Sequence, residues 1–127
     1  MHNPQRLDVL QRAKALNVRL HRAPLRGIGR RAPGLKSQLL RSISSIPTNV
    51  VEGLGQPSPK ATVRFVNIAI ASANELELHL ELARELDVLG PDAREYQEEL
   101  VEIRKMLFGF RAHLERRARR PPKPTDL

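Results

Sequence analysis

The residues best able to do chemistry in this chain are four glutamates and a histidine between positions 75 and 85. Such side chains inside a helical bundle can hold two metal ions. That site requires Glu-x-x-His on two helices and a glutamate from each of the others. Here Glu77 precedes His79 by only two residues, and few carboxylates come from earlier in the chain. We therefore expect no metal and no cofactor. His79 is expected to be a hydrogen-bonded residue at the surface or at an interface.

Other catalytic motifs are also missing from the sequence. No two histidines are separated by four residues and H-E-x-x-H does not occur, so a zinc site is not expected. The sequence contains no G-x-x-x-x-G-K-[ST] phosphate loop and no arguable Ser–His–Asp arrangement. The glycine pairs Gly27/Gly29 and Gly53/Gly55 are explained by loop flexibility and by a helix end. We expect neither an enzyme nor a small-molecule substrate.

A proline interrupts an apolar helical stripe near the middle of the chain. Residues at steps of three and four share one helix face. Pro47 lacks an N–H and its ring crowds the carbonyl four residues earlier, which predicts a kink or a stop. The stripe consists of Leu35, Leu39, Ile43, Ile46 and Val50.

Two polar residues follow this proline. Asn49, or a nearby hydroxyl such as that of Ser44, is expected to hydrogen-bond the backbone groups that Pro47 leaves free. Glu52 is expected to accept a hydrogen bond or to pair with an arginine, such as Arg41 or Arg64. Two roles stay open for these side chains: stabilising the end of the helix, or forming a shared binding surface.

Four apolar stripes with helical spacing predict four helices, and no segment of useful length alternates with period two. We place the helices at about 7–21, 33–53, 58–89 and from 91 onward, with flexible loop sequence at 21–33. The other three stripes are Val9, Ala13, Leu16 and Leu20; Val66, Ala69, Ala73, Leu76, Leu80 and Ala83; and Tyr96, Leu100, Ile103, Leu107, Phe110 and Leu114.

Short loops between consecutive helices favour antiparallel neighbours. The predicted fold is all-α, an antiparallel up-down-up-down four-helix bundle. At 127 residues the chain fits one domain, which we place at 1–120, followed by a disordered proline-rich tail at 121–127. No signal peptide and no run of about 18 apolar residues is present, so we expect a cytoplasmic protein that is not in a membrane.

Basic residues outnumber acidic ones, 22 to 14, which gives a net charge of +8. A polyanion is therefore a plausible partner, although such a charge also serves simply to keep a small domain soluble. The aromatic residues Phe65, Tyr96, Phe108 and Phe110 are predicted to be in the core. RNA or DNA binding would then be backbone-directed, without a stacking platform. The candidate residues are Arg19, Arg22, Arg26, Arg30, Arg31, Arg116, Arg117, Arg119 and Arg120.

The third predicted helix carries a second apolar row, where a monomeric bundle needs only one stripe. Leu78, Leu82 and Leu86 are the predicted oligomer interface, and Leu89, Ile70 and Val63 extend the row. The alternative is a wide core stripe with no oligomer.

The segment around Pro47 resembles a family of small four-helix-bundle proteins encoded within intervening sequences of bacterial 23S ribosomal RNA genes. The similarity extends over about 7–114, although Leu10 and Ala71 stand where the family has tryptophan and glycine. The matching motif residues are Gln38, Arg41, Ser45, Ile46, Pro47, Asn49, Glu52, Gly53 and Gly55.

The resemblance implies a homo-oligomer, since a homopentameric ring is described for members and for related accessory proteins of diversity-generating retroelements. Together with the charge pattern, this leads us to expect a non-enzymatic bundle that forms a homo-oligomer, with five subunits as the expected number. Its basic surface would contact RNA or DNA. The alternative is a protein-interaction scaffold that binds no nucleic acid.

Overall fold

The structure is a computed structural model that describes residues 4–120, with side chains from residue 8 onward. Five α-helices and one 3₁₀ turn make up this part of the chain, which contains no strand. The all-α class is therefore confirmed for residues 4–120. The elements are α1 (Pro4–Arg22), α2 (Ile28–Arg31), α3 (Leu35–Leu54), α4 (Pro59–Glu85), the 3₁₀ turn (Gly90–Asp92) and α5 (Ala93–Arg119).

One core joins the helices. Every position of the four predicted apolar stripes is buried, which confirms them. Each of the four long helices contacts two others, because α3 packs on α1 and α4, and α5 packs on α1 and α4. Among the described residues, no helix is both long enough and apolar enough to cross a membrane. The predicted extent of the domain stays a prediction, and the predicted tail at 121–127 lies outside the described residues.

The helix α3 continues through Pro47, in agreement with the single helix predicted at 33–53. Pro47 is buried, and α3 ends at Leu54 with Gly55 after it, as the glycine pair predicted. The start of α4 was also predicted correctly, since the Ser58 hydroxyl accepts a hydrogen bond from the Ala61 N–H at 3.2 Å. Such a cap satisfies one of the N–H groups that a helix leaves free at its first turn.

The end of α4 comes four residues earlier than the predicted end at 89. Asp87 has a left-handed backbone with φ 56°, and the Val88 N–H donates to the Ala83 carbonyl at 3.0 Å. This 6→1 hydrogen bond and the left-handed residue are typical of a Schellman helix end. The chain then turns inward, so Val88 and Leu89 lie in the core.

The segment at 21–33, predicted to be a flexible loop, contains the short helix α2. Ile28 is buried and anchors this helix against the core. Gly27 precedes it with φ 68°, a conformation that residues with a Cβ rarely adopt. The Gly27 carbonyl then accepts hydrogen bonds from the N–H groups of Arg30 and Arg31. The arginines of this segment are therefore held on ordered backbone.

Candidate functional site

The nine candidate arginines lie at opposite ends of the molecule. Arg19 pairs with Glu95 near the start of α5, and the guanidinium of Arg31 contacts the end of α4. In contrast, Arg116 and Arg119 lie in the last turn of α5. With a rise of 1.5 Å per residue, about 30 Å of helix separates the two groups. One chain therefore does not bring the nine side chains together on a single surface.

Two of the candidates are occupied by contacts within the chain. The guanidinium of Arg19 lies 3.0 Å from a carboxylate oxygen of Glu95 and 5.0 Å from the ring centroid of Tyr96. Arg31 donates through Nη1 to the carbonyl of Leu86 at 3.0 Å. That carbonyl lies at the negative end of α4, where a cation is favoured. Arg19 therefore joins α1 to α5, and Arg31 joins α2 to α4.

The remaining arginines at this end are exposed. Arg22 is the last residue of α1, and Arg26 and Arg30 lie on either side of Gly27. Within residues 8–120 none of the three forms an ion pair. A shallow concavity is lined by Arg26, Gly27, Arg30, Arg31 and Asp87.

We call Arg22, Arg26, Arg30 and Arg31 the basic end. Three of its guanidinium groups are free to meet anions, and a planar guanidinium suits phosphate oxygens. The Asp87 carboxylate opposes an anion at one side of the concavity, which leaves Arg26 and Arg30 as its open cations.

The family-like motif of α3 faces α4. Asn49 donates through Nδ2 to the Ser45 carbonyl at 2.8 Å and to the Ser45 hydroxyl at 2.9 Å. The Ser72 hydroxyl lies 2.7 Å from the Ser45 hydroxyl and 3.0 Å from the Ile68 carbonyl. Each hydroxyl has one proton. All four contacts are therefore satisfied together when Ser45 donates to Ser72 and Ser72 donates to Ile68.

Asn49 was expected to bond to a group that Pro47 leaves free. The carbonyl deprived of its N–H donor is that of Ile43, four residues earlier, whereas Asn49 bonds to Ser45. The Ser44 hydroxyl instead donates a hydrogen bond to the Asn17 amide oxygen on α1, at 3.2 Å. Neither the Asn49 nor the Ser44 side chain therefore bonds to the Ile43 carbonyl in the described structure.

Gly53 lies where α3 is packed tightly against α4. A Cβ at this position would be 3.2 Å from the Phe65 Cβ and 3.3 Å from the Thr62 Cγ2. The Thr62 hydroxyl lies 2.9 Å from the Gly53 carbonyl. Thr62 is a contact that the sequence analysis missed, and its only signal was a polar residue on the apolar face of α4. The motif residues Ser45 and Gly53 therefore contact α4, and Asn49 is bonded to Ser45.

Neither arginine named as a partner for Glu52 pairs with it in residues 8–120. Arg41 pairs with Glu75 at 3.5 Å, and within residues 8–120 the exposed Glu52 carboxylate forms no ion pair.

His79 is buried rather than at the surface, and its Nε2 lies 3.3 Å from a Glu75 oxygen. Its Nδ1 has no hydrogen-bond partner in the described residues. No group of three metal-ligating side chains occurs in this part of the chain.

The outer side of α4 carries three exposed leucines, which we call the leucine face: Leu78 at 53% exposure, Leu82 at 39% and Leu86 at 38%. Ile68 is also exposed and continues the surface toward the start of α4. Ile70 and Leu89, which the sequence analysis placed in this row, are buried in the core instead. Phe108 was predicted to be in the core but is 41% exposed, and it stacks under Arg111.

A family described as 23S rRNA-intervening sequence protein has a sequence model that matches residues 5–109. Among solved structures, the chain is similar to a crystal structure from Bacteroides thetaiotaomicron of a protein with unknown function from the S23 ribosomal protein family. The TM-score is 0.74 at 24% sequence identity, over 85% of this chain and 98% of that one. This likeness shows a shared fold. No curated protein matches the chain.

Proposed function

This chain belongs to the family of 23S rRNA-intervening sequence proteins, and we propose that it is a non-enzymatic bundle that assembles with copies of itself and binds RNA or DNA. The match confirms the family predicted from the motif around Pro47. The observation that carries the proposal is the basic end, where Arg26 and Arg30 are exposed and free of ion pairs in the described residues. Backbone phosphates are the natural ligand for such a group.

The proposed architecture is an antiparallel up-down-up-down four-helix bundle. Contacts between α3 and α4 support it, because Ser45 meets Ser72 and Arg41 meets Glu75, so one helix ascends as the other descends. Contacts between α4 and α5 follow the same pattern: Asn67 meets Arg111, Asn74 meets Arg104, and Arg84 meets Gln97. In this arrangement the basic end lies at one end of the bundle.

Self-assembly is supported by the leucine face, which exposes apolar surface on the side of α4 away from the core. An exposed apolar row on a helix is commonly covered by another protein. A closed ring, for which we propose five subunits, would present one basic end per subunit. Several weak phosphate contacts on one assembly then combine into useful avidity.

Fluorescence anisotropy with labelled RNA and DNA of mixed sequence tests the nucleic-acid part. We expect binding at low salt, with a log–log slope of about −0.9 for each phosphate neutralised on duplex. Arg26→Ala with Arg30→Ala should weaken binding to all sequences alike and flatten the slope. Lys60→Ala with Arg64→Ala removes the same charge from exposed positions at the start of α4, which carries no candidate arginine, and is the matched control. No binding even at low salt would leave a protein-interaction scaffold as the better account.

Light scattering coupled to gel filtration tests self-assembly. We expect a mass of several subunits at micromolar concentration. Leu82→Glu should lower that mass without loss of helicity, because a charge would enter an apolar contact. Lys60→Glu, which changes an exposed residue at the start of α4, is the control. A monomeric wild-type protein at micromolar concentration rules out the assembly.

A further inference from the structure

We propose that the leucine face of one copy docks into the groove between α1 and α3 of the next copy. This inference rests on the proposed self-assembly and specifies the two surfaces that meet. The contact is head-to-tail, because each surface is on a different part of the chain. One chain can therefore contact two others, and repetition of the contact builds a ring or a filament.

The groove is lined by Asn17, Val18, His21, Arg22 and Ser44. Val18 lies at the edge of this groove and is 48% exposed, so the described part of its own chain leaves much of this apolar side chain uncovered. Lys14 and Arg22 are each four residues from Val18, so all three lie along one side of α1. The groove is thus an apolar strip with cations along its edge.

The leucine face has the opposite charge along its edge. Glu81 and Glu85 are exposed on α4, between and beside the leucines at 78, 82 and 86. Within residues 8–120, neither glutamate forms an ion pair, and the same is true of Lys14 and Arg22. Docking the leucine face into the groove would cover Val18 with leucine and place these glutamates beside the cations. Such complementary charges favour one partner and one register.

Charge also disfavours contact between two leucine faces. A two-fold contact of α4 with α4 repeats the same side chains on both sides. It would bring Glu81 and Glu85 of one copy close to Glu81 and Glu85 of the other, which costs free energy. Within one chain α1 packs on α3 and α5, and α4 packs on the same two helices. The groove and the leucine face therefore stay available at the same time.

Cysteine cross-linking tests this arrangement directly, because the chain has no native cysteine. The test protein carries Leu82→Cys and Val18→Cys together, and the controls carry each change alone. Under mild oxidation we expect the double variant to form a ladder of covalent oligomers on a denaturing gel, and we expect no covalent product from either single variant. A covalent dimer of the Leu82→Cys variant alone would overturn the proposal in favour of contact between two leucine faces.

Charge reversal provides a second test that does not depend on disulfide geometry. Glu81→Lys with Glu85→Lys, and separately Lys14→Glu with Arg22→Glu, should each reduce the assembly to monomers. In a mixture, the leucine face of each variant carries the opposite charge to the groove of the other variant, so we expect mixed oligomers to form. A closed ring of five would keep one contact between like charges, so we expect these oligomers to be open chains or even-numbered rings. If wild-type protein is oligomeric but neither reversal lowers its mass, this docking is wrong and self-assembly stands. A monomeric wild-type protein overturns both.

Discussion

The hydroxyls of Ser45 on α3 and Ser72 on α4 lie 2.7 Å apart, in the contact between these two helices. The Asn49 amide also reaches the Ser45 hydroxyl, at 2.9 Å. This pair favours one register between the two helices, because sliding one helix along the other would break the hydrogen bond between the hydroxyls.

A double-mutant cycle measures this contact. We expect Ser45→Ala and Ser72→Ala each to lower the free energy of unfolding, with a coupling energy of about 1 kcal/mol between them. Thr48→Ala is the control, since the Thr48 hydroxyl bonds only to the Ser44 carbonyl of its own helix and is exposed. Denaturant melts give the values. Additive losses would show that the two hydroxyls act independently.

Gly53 and Gly109 offer the same substitution in two environments. Alanine normally stabilises a helix interior by roughly 0.5–1 kcal/mol relative to glycine, and a Cβ at Gly109 meets no atom within 4 Å. Gly109→Ala should therefore raise stability by about that amount. Gly53→Ala should lower it by about 1–2 kcal/mol, because the added Cβ presses on Phe65 and Thr62. Equal effects at both sites in thermal melts would contradict the close approach of α3 and α4.

Arg31 and Arg30 are neighbours with different expected roles. Arg31→Ala removes the hydrogen bond to the Leu86 carbonyl, so α2 should loosen from the end of α4. We expect faster hydrogen exchange at the amides of residues 30–32, whereas Arg30→Ala should leave their exchange unchanged and weaken nucleic-acid binding. Exchange measured by mass spectrometry on peptides that cover 24–34 separates the two. Identical exchange in both variants would show that Arg31 does not hold α2.

Tyr96 should make stability fall at alkaline pH. Burial, followed by the charge of Asp92, raises the pKa of the Tyr96 hydroxyl above its ordinary value near 10. Above pH ~10 the unfolded chain loses the tyrosine proton while the folded chain keeps it, so the folded state is disfavoured as pH rises. Tyr96→Phe should show a shallower loss of stability than wild type between pH 9 and 11. Parallel pH profiles from denaturant melts would exclude this contribution.

The sequence by itself determined the helical class and the buried face of each long helix. Each residue of an α-helix turns by a fixed angle, so the spacing of apolar residues selects one face before any packing is known. Every stripe position from Val9 to Leu114 is accordingly buried. The cap at Ser58 and the end of α3 near Gly55 were predicted correctly for the same reason, because they depend on residues adjacent in the chain.

Tertiary structure decided which polar residues meet. Arg19 is bound to Glu95, 76 positions later, and Arg31 to the carbonyl of Leu86, so neither is a free cation as their positions in a basic segment suggested. It also divided the arginines between two ends of the bundle and buried His79. These contacts depend on how far one helix is displaced along its neighbour. Helical periodicity alone does not fix that displacement, because the apolar stripe repeats along the whole helix while each polar contact occurs once.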